Sequence, residues 1–561
     1  LEYDHATDVL SIELPELAGI AETVAVDVFY RGVPRQGTGF DEVFGFGRLA
    51  NGDPYAWTLS EPYGARVWWP CKDHPADKAD SVRITVTVPN GMRVGSQGLL
   101  IDEIQNDDGT VTYDWFSRYP ISTYLVSIAA GVYNTAEQTY VRPDSLAAEY
   151  GPASFPVLHY FYAAQFENVP PNWALAPDMI AVFEYWFGPY PFAEEKYGHA
   201  QFTWGGGMEH QTMSSMGGAN VSLVSHELAH MWFGDLVTTR YWPHLWLNEG
   251  FASYAELLYY QARPSMFGNQ FQNALSSDLS LALNAPGTLV VQDTTNISNL
   301  FNGSRVYAKG SAVLHMLRGV VGDEVFREIL RSYAYDERVR YGTAVTADFQ
   351  RVAEEVSGLD LDAFFRQWVT EGTGYPVYEV SWSASEREQG FDVHVRIDQR
   401  QTESESNVEV FEMPITLLVR TESGDERFRV MNDSRQQSYT FNVSARPTEI
   451  VFDPDRYLLK GGVTVVDVGD LPVVPQETEI TKVYPNPART TATIGFALSV
   501  AGDVTLDLFD ALGRRVDVLF RGHLPEGAHE TSVDLTRLSA GTYFVRLRAG
   551  DTVDTNALIV P

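Results

Sequence analysis

The spacing of apolar and polar positions changes several times along the chain. Up to residue 145, Val9–Glu13, Val24-Ala-Val-Asp-Val-Phe-Tyr30, Ser81-Val-Arg-Ile-Thr-Val-Thr-Val88 and Tyr124-Leu-Val-Ser-Ile128 alternate or run β-branched, with turn residues between them. A period of two places successive side chains on opposite faces, so residues 1–145 predict an all-β domain. Between 146 and 375 apolar residues recur at helical spacing in Pro177–Phe187, Val221–Trp232, Trp246–Tyr260, Ser311–Val321, Glu324–Tyr335 and Thr346–Val356. One apolar face per helix predicts a mainly helical domain, and Gly234 offers a stop to the second of these runs. Strand patterning returns over 376–465, in Val377–Trp382, Val393–Ile397 and Ile415–Val419, at the spacing of a β-sandwich. Residues 466–481 contain Pro, Val and Asp and read as a linker. The last block, 482–561, carries short strands such as Val504–Phe509 and Thr542–Leu547 and predicts a small separate β-sandwich. The fold class is multidomain α+β, without an internal repeat of fixed period.

Composition narrows the function. The 561 residues hold 40 basic and 74 acidic side chains, a net charge of −34. Such a chain lacks the basic footprint that phosphate backbones or anionic lipid require, which excludes a nucleic-acid binder. The basic residues are 34 Arg and only 6 Lys. An acid-rich, Lys-poor surface suits a salty medium, and codon bias with ordinary solubility explains it equally well. Cys71 is the single cysteine, so no intrachain disulfide forms. No apolar run approaches the ~20 residues of a membrane span. The chain opens at Leu1, close to the alternating Val9–Glu13, so its start reads as trimmed and a signal peptide as already removed.

The candidate chemistry lies in the helical block, where His199, His210, His226, His230 and His244 fall. In His226-Glu-Leu-Ala-His230 two histidines four apart share one helical face, so both imidazoles reach one ion. Glu227 beside the first of them can face water and take its proton during attack on a carbonyl. A catalytic zinc takes three protein ligands and keeps one open position. Glu249, nineteen residues after His230 in Trp246-Leu-Asn-Glu249-Gly-Phe-Ala-Ser-Tyr-Ala-Glu256, can return to the metal on a second helix. Glu256, two turns further, shares that face and can accept a hydrogen bond from a ligand histidine. Taken singly, each of these is also compatible with a solvated helix face.

Together these residues resemble the zinc aminopeptidases of the M1 (gluzincin) family: two histidines, a glutamate after eighteen intervening residues, and Asn248-Glu249-Gly250. Four further segments match in family order: Glu61-Pro-Tyr-Gly-Ala-Arg66 with Trp69-Pro-Cys-Lys-Asp73-His-Pro75, Gly206-Gly-Met-Glu-His210, Val306-Tyr307-Ala-Lys-Gly310, and Phe365-Arg-Gln-Trp368 with Gly374-Tyr-Pro376. The resemblance implies an N-terminal β saddle (1–145), a thermolysin-like, mainly helical peptidase domain (146–375), a β-sandwich (376–465) and a small Ig-like domain (482–561). It implies one zinc ion per chain on His226, His230 and Glu249, with Glu227 as general base and Tyr307 donating to the oxyanion. Glu209, helped by Glu61, would bind the free α-amino group of a peptide. The backbone at Gly206 and Gly207, next to Met208, would pair with the peptide as an added strand. The motif departs from the family at His210, where Asn is usual; a histidine there lines the site and, if cationic at low pH, competes with the substrate amine. A β-sandwich and a further β module stand where many members carry a long helical domain, and the first domain lacks its first strands.

The tail carries a second resemblance. Val483-Tyr-Pro-Asn-Pro487, Leu508-Phe-Asp-Ala-Leu-Gly513-Arg-Arg-Val516 and Leu538-Ser-Ala-Gly-Thr-Tyr-Phe-Val-Arg-Leu547 look like the C-terminal sorting domain of type IX secretion in Bacteroidetes-like bacteria. This implies a secreted or cell-surface protein with the type IX machinery as partner, although Asn556–Pro561 lacks the basic residue often found there. The expected activity is removal of N-terminal residues from peptides. The alternatives are a thermolysin-like endopeptidase, which needs no amine anchor, and a peptide-binding scaffold without catalysis.

Overall fold

The computed structural model describes residues 2–6, 9–14, 23–35, 40, 43–143, 151–402, 406–469 and 477–561. The chain divides into two compact units: Leu1–Asn248 with Asp293–Leu300 and Ala334–Val345, and Glu249–Gln292 with Phe301–Tyr333 and Thr346–Pro561. No helix among the described residues is long and apolar enough to cross a membrane.

In the first unit, Val82–Pro89, Thr110–Ser117 and Leu99–Gln105 form an antiparallel sheet, and Phe44–Arg48, Pro54–Thr58, Ala129–Gly131 and Arg93–Gly95 form a second. Their inward residues, among them Val94, Val111 and Trp115, make an apolar core. A five-stranded sheet follows, built from β1 (Tyr133–Val141), β2 (Ser154–Tyr162), β3 (Tyr197–Gln201), β4 (Gly207–Met208) and β5 (Ser214–Met216) in the order β1-β2-β3-β5-β4. β2, β3 and β5 run parallel, and β4 turns back on β5 as the edge strand. Helices α1 (Ala176–Phe187) and α2 (Val221–Ala229) pack beside this sheet, Phe187 and Phe183 against Trp232.

The second unit carries α3 (Trp246–Ala262), α4 (Gln270–Ala282), α5 (Gly310–Val321), α6 (Asp323–Tyr335) and α7 (Thr346–Ser357), some of which begin or end in the first. Phe251 of α3 meets Tyr333 and Phe349, which closes a helical core. The unit boundary passes through the first turn of α3, so Glu249 is carried by the same turn as Asn248, which is bonded inside the first unit. Residues 376–467 form a four-stranded and a three-stranded sheet, with Tyr378 on Phe452 and Phe428 on Phe441 between them. The tail repeats this plan with sheets of three and four strands around Leu506, Leu508, Val545 and Leu547.

Several predicted elements differ. Val24–Tyr30 alternates but forms no ladder; its side chains are exposed, Phe29 at 96%. A strand needs a neighbour for its backbone groups, and no described strand lies alongside. Tyr124–Ile128 is instead a 3₁₀ turn, Thr123–Leu125, followed by irregular chain; it is buried almost throughout, which removes the polar face that a period of two would report. The block expected to be mainly helical also contains β2 to β5, and its sheet takes in β1 from before residue 146. The residues between, 144–150, lie outside those described. The helix expected to reach Trp232 stops at Ala229, and the segment expected as linker from 466 is entered by a strand, Val463–Asp467, that pairs with Pro376–Glu386. Valine-rich residues there extend a sheet edge, and 470–476 lie outside the described residues.

Candidate active site

α2 begins at Asn220, whose side-chain oxygen accepts from Leu223 N at 2.8 Å and satisfies one unpaired first-turn N–H. This start puts His226 in the second turn and His230 just past the last, with ring centroids 4.8 Å apart. Gly234, at φ +141°, then lets the chain fold back on the His230 ring. His230 Nδ1 lies 2.9 Å from the carbonyl of Phe233. A carbonyl only accepts, so Nδ1 carries the proton and Nε2 keeps its lone pair. Glu249 comes in the first turn of α3. His226, His230 and Glu249 offer ligand atoms that lie within 4.8 Å of one another. His230 and Glu249 are buried and His226 half-buried. Two imidazoles and a carboxylate, one imidazole already fixed in its ligating tautomer, fit a catalytic zinc.

A second group shares His230. Glu209, Glu227 and His230 also bring one ligand atom each within 4.8 Å of one another. Glu209 follows the edge strand β4, whose outer side pairs with no other described strand. Gly207 explains how Glu227 fits there: a Cβ on Gly207 would stand 2.1 Å from the Glu227 carboxylate. Only a residue without a side chain allows that approach. The Gly206 carbonyl turns inward and accepts from Gly217 N at 2.8 Å, while Met208 is buried.

The structure adds to the reading of His210 by showing its surroundings. The residue is fully buried, Nδ1 lies 2.8 Å from Ser215 Oγ, and burial lowers its pKa to about 3. It is therefore neutral across the physiological range and does not compete as a cation. Asp235 is also fully buried; burial first, then the charge of Glu209, pushes its carboxyl well above the usual range. Lys78 donates to the Asp235 carbonyl at 2.7 Å, and burial lowers its ammonium to about 7. Cys71 is pushed up to about 12, by burial and then by Asp73, so it stays a thiol.

Glu61 is buried in a tight turn. Two residues on, Tyr63 stands edge-on to Trp242 at 6.2 Å, and Trp242 edge-on to Tyr124 at 5.3 Å. Tyr124 in turn donates to Glu209 Oε1 at 3.4 Å. Tyr307 is half-buried on a π-helical turn, Gly303–Lys309, that runs into α5. The start of α5 touches the start of α3, glycine on glycine: a Cβ on Gly250 would lie 2.8 Å from Gly310 Cα. That contact ties the Asn248-Glu249-Gly250 and Tyr307-Ala-Lys-Gly310 segments together. Glu256 is half-buried on α3, and His199 lies in the sheet, its Nδ1 3.0 Å from that of His159, rather than with the other histidines. Sequence reasoning missed Tyr124, Asp235 and a role for Asn248; only Asn248, inside a quoted motif, carried any signal.

Comparison with known proteins identifies three domains. Residues 207–368 match the model of the peptidase family M1 domain, 2–125 the peptidase M1 N-terminal domain, and 482–561 the secretion system C-terminal sorting domain. Aminopeptidase M1-D of Oryza sativa subsp. japonica is 32% identical over 399 residues, covering 66% of this chain and 42% of the relative. The chain thus spans under half the length of curated relatives such as this one. A crystal structure of an M1 zinc metallopeptidase mutant from Deinococcus radiodurans, bound to a Tyr-Ser-Ala substrate, is 28% identical with a TM-score of 0.51 and covers 60% of this chain and 74% of that one. Aminopeptidase A of Legionella pneumophila, solved with aspartic acid, shares the fold over 76% of this chain and 49% of its own, with a TM-score of 0.62 at 19% identity. The chain belongs to peptidase family M1 and ends in a secretion-type sorting domain.

Proposed function

We propose that the protein is an exported zinc aminopeptidase that removes N-terminal residues from peptides with a free α-amino group. The observation that carries this reading is the pair of buried carboxylates, Glu209 and Glu227, within 4.8 Å of His230 and of each other. One of them has a substrate amine to hold and the other a proton to move. In this reading His226, His230 and Glu249 hold one zinc ion per chain. Bound zinc supplies Lewis acidity at the scissile carbonyl and acidifies water there. Glu227 takes the proton of the attacking water onto its carboxylate and passes it to the leaving nitrogen. Glu209 and Glu61 bind the substrate ammonium by charge-assisted hydrogen bonds, which sets the scissile bond one residue from the chain end. Gly206 and the outer side of β4 take the peptide backbone as an added strand, and His210 braces that strand from behind. Tyr307 donates its hydroxyl to the oxygen that gains charge, and Glu256 accepts from a ligand histidine. The tail directs the chain through type IX secretion to the cell surface or the medium of a Bacteroidetes-type bacterium.

The test is a panel of aminoacyl-p-nitroanilides assayed with and without a chelator, with zinc counted by mass spectrometry. One zinc per chain, loss of activity on chelation and recovery with zinc are expected. Glu227→Gln should lower kcat by about 10²–10⁴-fold at unchanged zinc content. A variant as active as the parent contradicts the assigned base.

A further inference from the structure

Behind Glu209 runs a chain of hydrogen bonds whose direction is fixed at its far end. Asn248 is fully buried, and its Oδ1 accepts from the backbone N–H of Thr239 at 3.2 Å. A backbone N–H cannot act as an acceptor, so this bond sets which way the amide faces. Asn248 Nδ2 is thereby turned to the Tyr124 hydroxyl, 3.3 Å away, and donates to it. The hydroxyl, accepting from Asn248, has its single proton directed at Glu209 Oε1, 3.4 Å away. Tyr124 is 1% exposed and held edge-on by Trp242, so its ring has little freedom to turn the bond elsewhere.

We infer that Tyr124 and Asn248 are positioning residues for amine recognition: the amide of Asn248 orients the Tyr124 hydroxyl, and that hydroxyl holds Glu209 in the rotamer that receives the substrate ammonium. This rests on the reading of Glu209 as amine anchor given above. A bond donated to a carboxylate oxygen is charge-assisted and directional, so it fixes which way the carboxylate faces. Asn248 also precedes Glu249, so one helical turn supports both the metal-facing carboxylate and the orientation of the amine-facing one. Asp at 248 would not serve. Its oxygen would accept from Thr239 and its other oxygen would draw the Tyr124 proton away from Glu209.

The experiment compares the zinc-loaded parent with Tyr124→Phe, Asn248→Asp, Glu209→Gln and the double variant Tyr124→Phe/Glu209→Gln on leucine p-nitroanilide. Zinc content and thermal midpoint are recorded for each. Tyr124→Phe and Asn248→Asp should raise KM, and the inhibition constant of free leucine, by about tenfold, with kcat within a factor of about three. Tyr124→Phe should add nothing further in the Glu209→Gln background, because the two act through one carboxylate. A purely structural role would shift the thermal midpoint and leave KM and leucine inhibition as in the parent, which overturns the inference. If Glu209→Gln raises KM and Tyr124→Phe does not, the relay is wrong and the anchor stands. If Glu209→Gln itself leaves KM unchanged, the anchor reading fails, and the relay with it.

Discussion

The region around Glu227 and the C-terminal tail follow opposite rules for charge. Within the first, Glu209, Glu227, Glu249, Asp235 and His210 are all buried. The core of residues 482–561 is instead Ile, Leu, Val, Ala, Phe and Tyr, with ion pairs outside it, such as Lys482–Glu530 on exposed side chains and Arg514–Asp510 between an exposed arginine and a half-buried aspartate. Burying a charge costs several kcal/mol unless it is paired or titrated. A fold that gathers acids in its interior gives up stability that the tail keeps. The difference teaches that apolar packing holds the tail together, while the peptidase region buries groups that, in the function proposed above, meet a metal and an amine.

Three substitutions break or sharpen this contrast. The largest effect is expected in the tail. Leu506 is fully buried in its core, so Leu506→Ala should destabilise it by about 3–5 kcal/mol. Urea unfolding of the full chain, read by hydrogen exchange of residues 482–561, should show the loss, with kcat/KM unchanged in dilute urea-free buffer. A fall in kcat/KM would show that the two regions do not divide stability and chemistry as described.

Next comes Gly207→Ala. The added methyl meets the Glu227 carboxylate at 2.1 Å and must displace it. A shift of about 1 Å in a reacting group costs about a hundredfold, or about 2.7 kcal/mol, in kcat. Steady-state kinetics at full zinc occupancy measures it, and a stability loss without a kinetic one would contradict the placement.

The smallest effect concerns pH. His210 has a folded pKa of about 3 against an ordinary value of 6.5. Between these the unfolded chain binds a proton that the folded chain does not, so stability is complete above 6.5 and falls as pH drops toward 3. The slope is about 1.4 kcal/mol per pH unit. His210→Asn should remove about 2 kcal/mol of the stability lost between pH 7 and pH 5, read from urea midpoints. Identical pH slopes for parent and variant would show that His210 is not held neutral.

What could be read in the sequence was set by local spacing. His226, His230 and Glu249 obey helical periodicity and a short return, so their convergence follows from geometry that a sequence displays. The helices from Pro177 to Val356 were legible for the same reason, each burying one face. Tyr124 was not, because the turn that holds it is buried on every side and mimics a strand in its residue types. Its partner, Asn248, lies 124 residues away. The neutrality of His210 is a property of burial, which the motif around it does not encode. Val24–Tyr30 shows the converse failure: the alternation is present and the neighbouring strand that would make it a ladder is not among the described residues.

The most direct measurement is hydrolysis of one peptide in two forms, with its α-amino group free and with it acetylated, by the zinc-loaded protein, followed by mass spectrometry. The account predicts stepwise shortening of the free peptide from its first residue and a rate on the blocked peptide lower by at least about a hundredfold. Equal cleavage of both, or cutting at internal bonds, would contradict it.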